Sequence, residues 1–240
     1  MIESTQNKRI KELCKLHQKK YRDQMQLYLV QGDHLIQEAF QAGVLQELYM
    51  LQGESCPIDF PYQEASLTVM NKLSTQNSDA KIIGVCKKQT VESTTYQKVI
   101  VLDDVQDPGN VGTIIRTAHS FGLDAIFLSK GCADITNPKT IQSSQGAIFH
   151  IPCIVCNLEQ TLPTLGLPLY ATALHHEHKT LQDLCIPSSY ALIVGNEGKG
   201  VHDSLLQMSD EIIQIEMETF ESLNVAIATA ICMYTFQYQR

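Results

Sequence analysis

The sequence predicts an α/β protein of two domains, with a parallel sheet in the larger, C-terminal one. Three observations carry this. Short apolar runs of strand length alternate with stretches of helical spacing along the chain, the pattern of layered α/β domains. The alternation is interrupted by a polar run, 87–97 (KKQTVESTTYQ), rich in Ser and Thr. Beyond it the strands are near-continuous apolar runs, as expected of a parallel sheet covered on both faces. The domains are therefore placed at 1–90 and 98–240, with a linker at 91–97.

In chain order, residues 4–20 are expected to form a helix, with Ile10, Leu13, Cys14 and Leu16 roughly on one side. Leu27–Val30 is a strand broken by Gly32, and Asp33 is placed to cap a helix over His34–Gln41. Gly43 stops that helix. Leu48–Leu51 is a second strand, Leu67–Leu73 a helix and Lys81–Cys86 a third strand. In the second half, strands fall at Val99–Leu102, Ala125–Leu128, Ile151–Val155, Leu169–Ala173, Ala191–Val194 and Glu211–Ile215. Helices are expected at Val111–Phe121, Pro138–Gln145, Leu158–Leu165, His202–Met208 and Leu223–Tyr238. The last (VAIATAICMYTF) is apolar nearly all round and calls for burial in the core or at a subunit interface.

The 240 residues are 44% hydrophobic, enough for a sizeable core. No apolar run reaches the roughly 18 residues that a membrane span needs, and MIESTQNKRIKELCK has no apolar segment of a secretory signal. Eight scattered cysteines in such a chain point to reduced thiols and a cytoplasmic location. Cys153 and Cys156 form a lone CxxC, read as buried strand rather than a redox or zinc site. His175, His176 and His178 are read as a solvated turn rather than a metal site, so no metal is expected. Net charge is −8, which argues against a nucleic-acid partner until its distribution is considered. Residues 1–22 hold Lys8, Arg9, Lys11, Lys15, Lys19, Lys20 and Arg22 against only Glu3 and Glu12. This is either a phosphate-binding patch or a solvated helix face.

Three segments join a strand end to a Gly-, Asn- or Ser-bearing loop, where α/β proteins bind ligands. In Leu102–Thr117 (LDDVQDPGNVGTIIRT), Asp107–Asn110 is a turn signature, and Asn110 is placed to cap the following helix. Val111, Ile114, Ile115 and Ala118 should face the core, leaving Gly112, Thr113 and Arg116 on the loop side. Arg116 can hold a phosphate or a developing oxyanion, or pair with Asp103 or Asp104; spacing leaves both open. In Leu192–Gly200 (LIVGNEGKG), Gly195, Gly198 and Gly200 let the backbone approach a ligand, unless the segment is a plain turn. It is not a Walker A loop, and the chain has no GxGxxG. In Ile215–Ala226 (IEMETFESLNVA), Ser222 is expected as the helix N-cap.

Taken together, the segments DDVQDPGNVGTIIRTA, IVGNEGKG and ESLNVAIA, with GAIFHIP between the first two, resemble the SpoU (TrmH-like) family of SPOUT methyltransferases. NKRIKELCKLHQKKYR and YLVQGDHLIQEA resemble that family's N-terminal RNA substrate-binding domain, so the likeness spans almost the whole chain. It implies a C-terminal α/β domain with a deep trefoil knot and a small N-terminal α/β RNA-binding domain. It further implies transfer of a methyl group from S-adenosylmethionine to a ribose 2′-hydroxyl of RNA, with ribosomal RNA favoured over transfer RNA, and a homodimer formed through the C-terminal domain. Carried over by motif, the cofactor contacts fall on Gly195, Ile215, Met217 and Leu223, and the active residues are Asn110, Arg116, Glu197, Ser222 and Asn224. The third motif departs from the family pattern: Glu216 stands where a Pro is usual, and Thr219 where a Gly is. Glu216 and Glu218 are expected to add negative charge near the cofactor pocket. The competing readings are a non-catalytic RNA-binding factor retaining the fold and an unrelated nucleotide-binding α/β enzyme.

Overall fold

The computed structural model describes residues 1–75, 80–89, 95–174, 179–219 and 222–238. The chain forms two compact units that do not follow one cut along the sequence. The first comprises Met1–Thr90 with Thr136–His150, the second Val91–Ile135 with Ile151–Arg240.

The first unit holds α1 (Lys8–Cys14), α2 (Lys19–Met25), β1 (Leu27–Gln31), α3 (Asp33–Gln41), β2 (Leu45–Leu51), β3 (Gln63–Ala65), α4 (Leu67–Leu73) and β4 (Ile82–Lys87). Its sheet runs β1-β4-β2-β3, antiparallel except for the parallel β2–β3 pair. Ile10, Leu13 and Leu16 pack with Tyr49, Val69, Leu73 and Val85 in its core. The helix expected over 4–20 is broken. Asn7 caps α1 by accepting from the Arg9 and Ile10 backbone N–H groups. A short 3-10 turn, Lys15–His17, then ends at Gln18, whose backbone is extended. Arg22 reaches back from α2 to donate to the carbonyls of Leu16 and His17 at 2.9 and 3.0 Å, satisfying groups that the break leaves open. Asp33 does not cap α3: Gly32 holds the cap position, and Asp33 sits in the first turn, where its charge suits the helix dipole.

The second unit begins with β5 (Lys98–Asp103), α5 (Pro108–Ser120) and β6 (Ala125–Leu128). The chain then contributes α6 (Pro138–Ser144) and a 3-10 turn, Ala147–Phe149, to the first unit. There His150 Nε2 lies 2.7 Å from the Glu38 carboxylate and His34 Nε2 lies 3.1 Å from the Gln145 carbonyl. Gly146 has φ +90°, and a Cβ there would meet Glu38 Cβ at 2.8 Å, so only glycine fits. The second unit continues with β7 (Cys153–Val155), α7 (Leu158–Leu165), β8 (Leu169–Thr172), β9 (Lys179–Thr180), β10 (Tyr190–Gly195), α8 (Asp203–Met208), β11 (Glu211–Gln214) and α9 (Val225–Tyr238).

The sheet of the second unit runs β7-β6-β5-β10-β8-β11-β9, with every pair parallel. β5 and β10, its central strands, are buried along nearly their whole length, which matches their unbroken apolar sequence. Strand order reverses between them: β6 and β7 build outwards from β5, and the chain returns to place β10 on its other side. Ligand crevices form at such a switch point, beyond the C-terminal strand ends. α7 and α8 pack on Val99, Val101, Ala191 and Ile193 on one face. On the other, Phe236 of α9 meets Tyr170 and Tyr190 edge-on at 5.1 and 4.8 Å.

β7 corrects the buried-strand reading of the CxxC. It is an edge strand in which Cys153 is half-buried and Val155 exposed, and Cys156, just after it, is half-buried too. Burial nevertheless pushes the Cys153 thiol up to about 12, far from the thiolate that metal binding or redox chemistry requires. All eight cysteines are free thiols. Among the described residues no cluster of His, Cys, Asp and Glu is placed to hold a metal ion, and no helix is long and apolar enough to cross a membrane. His175, His176 and His178 lie outside the described residues, as do 91–94 of the expected linker. α9, expected to be buried in the core or at a subunit interface, is only partly covered by its own chain. Val225, Thr229, Cys232, Met233 and Phe236 are buried, but Ile227, Ile231, Tyr234 and Tyr238 form an exposed stripe.

Candidate active site

A cavity of about 410 Å³ opens at the C-terminal ends of β10, β8 and β11. It is lined by Gly195, Ile215, Met217, Leu223, Ser222 and Glu197, six of the nine site residues expected from the sequence, and its apolar wall includes Leu206, Ile213 and Val225. Its size lies within the roughly 300–1,000 Å³ of small-molecule sites. Gly195 lets the loop pack back against the strand end: a Cβ there would meet the Gly200 carbonyl carbon at 2.1 Å and the Val201 nitrogen at 2.2 Å. The loop folds back because Asn196 and Gly200 exchange both backbone hydrogen bonds, at 3.0 and 2.9 Å. The Asn196 side chain accepts from the Gly198 and Lys199 N–H groups and donates to the Asp104 carbonyl at 2.8 Å. Apolar walls, a close-approach backbone and a few convergent polar groups suit a purine nucleoside carrying a charged side chain, so the residues present fit S-adenosylmethionine.

Asn110, Glu197 and Asn224, one residue from each motif, form a hydrogen-bonded chain. Asn224 Nδ2 donates to Asn110 Oδ1 at 3.0 Å, and Asn110 Nδ2 donates to Glu197 Oε1 at 2.9 Å. Burial pushes the Glu197 carboxyl up. The Asn110 amide and the backbone N–H groups of Glu197, Gln106 and Asp107 outweigh that and hold it below the ordinary carboxylate value. An ionised Glu197 accepts only, so it fixes which way the Asn110 amide points. Arg116 lies on the exposed side of α5 with Thr113, and its guanidinium forms no hydrogen bond or ion pair with a described residue. The alternative pairing with Asp103 or Asp104 is not adopted. Asp103 binds His202, with Oδ2 lying 2.8 Å from the ring Nδ1, and Asp104 accepts from the Ser129 hydroxyl. Arg116, Asn110 and Asn224 do not line the cavity.

Several local assignments change. α5 starts at Pro108 and is capped by Asp107, which accepts from the Asn110 N–H at 2.9 Å. The Asn110 side chain is thereby left for Glu197 and Asn224. Asn224, not Ser222, caps α9, accepting from the Ala226 and Ile227 N–H groups at 2.9 and 3.3 Å. Gly112, one turn before Arg116 on α5, is buried, while Thr113 and Arg116 are exposed. After β11 the side chains alternate: Ile215 and Met217 line the cavity, while Glu216 and Glu218 point outwards. The extra acids therefore stay out of the pocket wall. Sequence reasoning missed Asn196 as the brace of the loop. An Asn after a strand and before Gly is a side-chain-to-backbone turn signal.

Two family patterns match the chain. The SpoU rRNA Methylase family covers residues 97–234, and the MRM3-like substrate binding domain covers residues 7–95. A Bacillus subtilis protein named 23S rRNA (guanosine(2553)-2′-O)-methyltransferase RlmP is 38% identical over 97% of each chain. A structure described as an RNA 2′-O ribose methyltransferase superposes with TM-score 0.83 at 27% identity, over 99% of this chain and 98% of that one. An AdoMet-bound rRNA methyltransferase from Sinorhizobium meliloti superposes with TM-score 0.87 at 25% identity, over 99% and 97%. With its three motifs gathered at one switch point, this chain belongs to the SpoU rRNA methylase family.

Proposed function

We propose that this protein transfers a methyl group from S-adenosylmethionine to a ribose 2′-hydroxyl of ribosomal RNA, with a guanosine of 23S rRNA as the target. One observation carries the reading: the Asn224–Asn110–Glu197 chain ties all three motifs together beside a cofactor-sized cavity. The target nucleoside is supported by the 38% identical relative.

When bound, S-adenosylmethionine supplies a methyl group on a sulfonium, open to in-line attack by an oxygen. The protein must hold the 2′-oxygen close and aligned, and draw off its proton. Glu197, kept ionised, locks the Asn110 amide; Asn110, Ser222 and Asn224 then position the ribose. Arg116, with no described partner to compete for it, grips the neighbouring phosphate and stabilises charge growing on the 2′-oxygen. A guanidinium holds its proton too tightly to serve as the base, so the proton of the 2′-hydroxyl passes to solvent water. Ile215, Leu223 and Gly195 would hold the adenine mainly through backbone groups, with Met217 nearby.

In the first unit Lys8, Lys11, Lys15 and Lys20 bind RNA phosphates. They form no ion pair among the described residues, and the Lys15 and Lys20 ammonium groups lie 5.6 and 5.9 Å from the Tyr21 ring centre. The exposed stripe of α9 is the face of a homodimer, supported by Ile227 at 53% and Tyr234 and Tyr238 at 59% exposure. A deep trefoil knot in the second unit is supported by the SpoU family pattern over residues 97–234. Domain limits at 1–90 and 98–240 are supported by the two family patterns, and a cytoplasmic location by the rRNA substrate and free thiols. Isothermal titration with S-adenosylmethionine tests the reading. Saturable binding near one per subunit is expected. Absence of binding, both alone and with rRNA present, contradicts it and leaves an RNA-binding factor that has kept the fold.

A further inference from the structure

The loop that walls the cofactor cavity is held from outside it. β10 pairs with β5 as far as Gly195, opposite Asp103. The chain then runs through Asn196–Val201 and enters α8, with His202 at the cap position. Residues 197–200 are exposed, and only Val201 is buried. A loop with so little buried surface opens readily unless polar contacts tie it down.

Consecutive residues at the end of β5 provide those ties. Asp103 is 3% exposed. Its Oδ2 accepts from the His202 backbone N–H at 2.8 Å and lies 2.8 Å from the ring Nδ1. The Asp104 carbonyl accepts from Asn196 Nδ2 at 2.8 Å. One strand end therefore grips the loop at both of its ends. The pairing is reciprocal, because a buried carboxylate without donors is costly. Asp103 and His202 line a separate recess of about 300 Å³, not the cofactor cavity, so neither is placed to touch the cofactor.

We propose that Asp103 and His202 are positioning residues for cofactor binding, a latch that fixes the Gly195–Val201 loop in its cavity-forming shape. This rests on reading the cavity as the S-adenosylmethionine site. The latch tightens when the His202 ring is charged. The groups that share the recess with that ring are Asp103 and Asp104 at the end of β5, Lys130 after β6, Cys156 after β7 and Glu159 on α7, while Lys199 of the loop acts on its charge and Asp203 follows it on α8. The hydrogen bond to Asp103 raises the His202 pKa above the ordinary 6.5. The Asp103 charge adds to this, partial burial opposes it, Asp104 raises it and Lys199 lowers it. A raised value means the charged ring is favoured in the closed latch. The added hold is present in full below the ordinary value and is lost as pH rises through the raised one.

The test uses the full chain and three variants, Asp103→Asn, His202→Phe and His202→Asn. Two readouts apply: amide exchange of Asn196 and Gly200 without cofactor, and titration with S-adenosylmethionine across the His202 transition. Asp103→Asn and His202→Phe should each speed that exchange and weaken cofactor binding by about tenfold, the scale of a lost charge-assisted hydrogen bond. His202→Asn can still donate to Asp103. It should keep the affinity but lose the decline in affinity that the unmodified protein shows with rising pH. Unchanged loop exchange in Asp103→Asn and His202→Phe overturns the latch, as does an undiminished pH dependence in His202→Asn. If the unmodified protein binds no S-adenosylmethionine, the cofactor reading fails instead, and the cofactor-free exchange still decides for or against the latch.

Discussion

The loops at the ends of β5, β10 and β11 turn their functional side chains towards one another, whereas three of the seven basic residues in 1–22 are taken up by partners in their own unit. Asn224, Asn110 and Glu197 form a chain whose members come from three separate motifs. Of the seven basic residues in 1–22, Arg9 pairs with Glu12 and Glu47, Lys19 with Asp23, and Arg22 is 4% exposed and bonded to backbone. Arg22 also donates to the Thr136 hydroxyl at 3.2 Å, so it belongs to the packing of its unit and not to an RNA-facing patch. The lesson is that a local count of charges measures potential, while pairing decides what remains to meet a ligand. Amides at strand ends are short and confined by the backbone, so their sequence position nearly fixes their direction; long basic side chains find partners that spacing does not reveal.

The sharpest way to break this comparison is Arg116→Ala. Methyl transfer should fall by about a thousandfold, the scale of losing a group that stabilises a developing oxyanion. Cofactor affinity, by titration, should stay within about twofold, because Arg116 lies outside the cavity wall. Equal losses in both would place Arg116 in cofactor binding. Gly195→Ala should act the other way. With a Cβ driven to 2.1 Å from backbone, the loop must move, and S-adenosylmethionine affinity should drop by about a hundredfold or more. Normal affinity would show that the backbone approach is not needed.

Smaller changes sharpen the other side. Arg22→Met should destabilise the first unit by about 2 kcal/mol in denaturant unfolding, because buried carbonyls lose their donor. RNA affinity per folded molecule should not change. Reversing Lys15 and Lys20 together to Glu should leave stability within about 0.5 kcal/mol. It should lower the slope of log affinity against log salt by about 2. An unaltered slope would mean that RNA meets a different surface.

The central strands were legible in sequence because buried parallel strands need unbroken apolar runs, as in Val99–Leu102 and Ala191–Val194; the strand order that sets the switch point between them was not. β3 and β9 were not, since Gln63–Ala65 and Lys179–Thr180 carry no periodicity and owe their strand form to the neighbours they pair with. The site residues were legible through a family likeness, and their partners were not. Nothing local links Asn110 to Glu197, 87 residues away. The caps show why: Asp107 and Asn110, like Ser222 and Asn224, are both competent caps, and the structure uses Asp107 and Asn224. That choice frees Asn110 for the site. Glu216 and Glu218, expected to add negative charge near the pocket, flank its lining residues Ile215 and Met217 but stay exposed and out of the wall, because the chain alternates after β11.

The most direct test is methyl transfer itself, with S-adenosylmethionine labelled in its methyl group and unmodified 23S rRNA as acceptor. A 2′-O-methyl blocks the hydroxyl that alkali needs to cleave the adjacent phosphodiester. The account predicts that label enters the RNA, survives complete alkaline hydrolysis in a dinucleotide carrying guanosine at its 5′ side, and disappears with Arg116→Ala. Label released in mononucleotides would mean that a base is methylated rather than a ribose. No transfer from a protein that binds both cofactor and RNA would contradict the account outright.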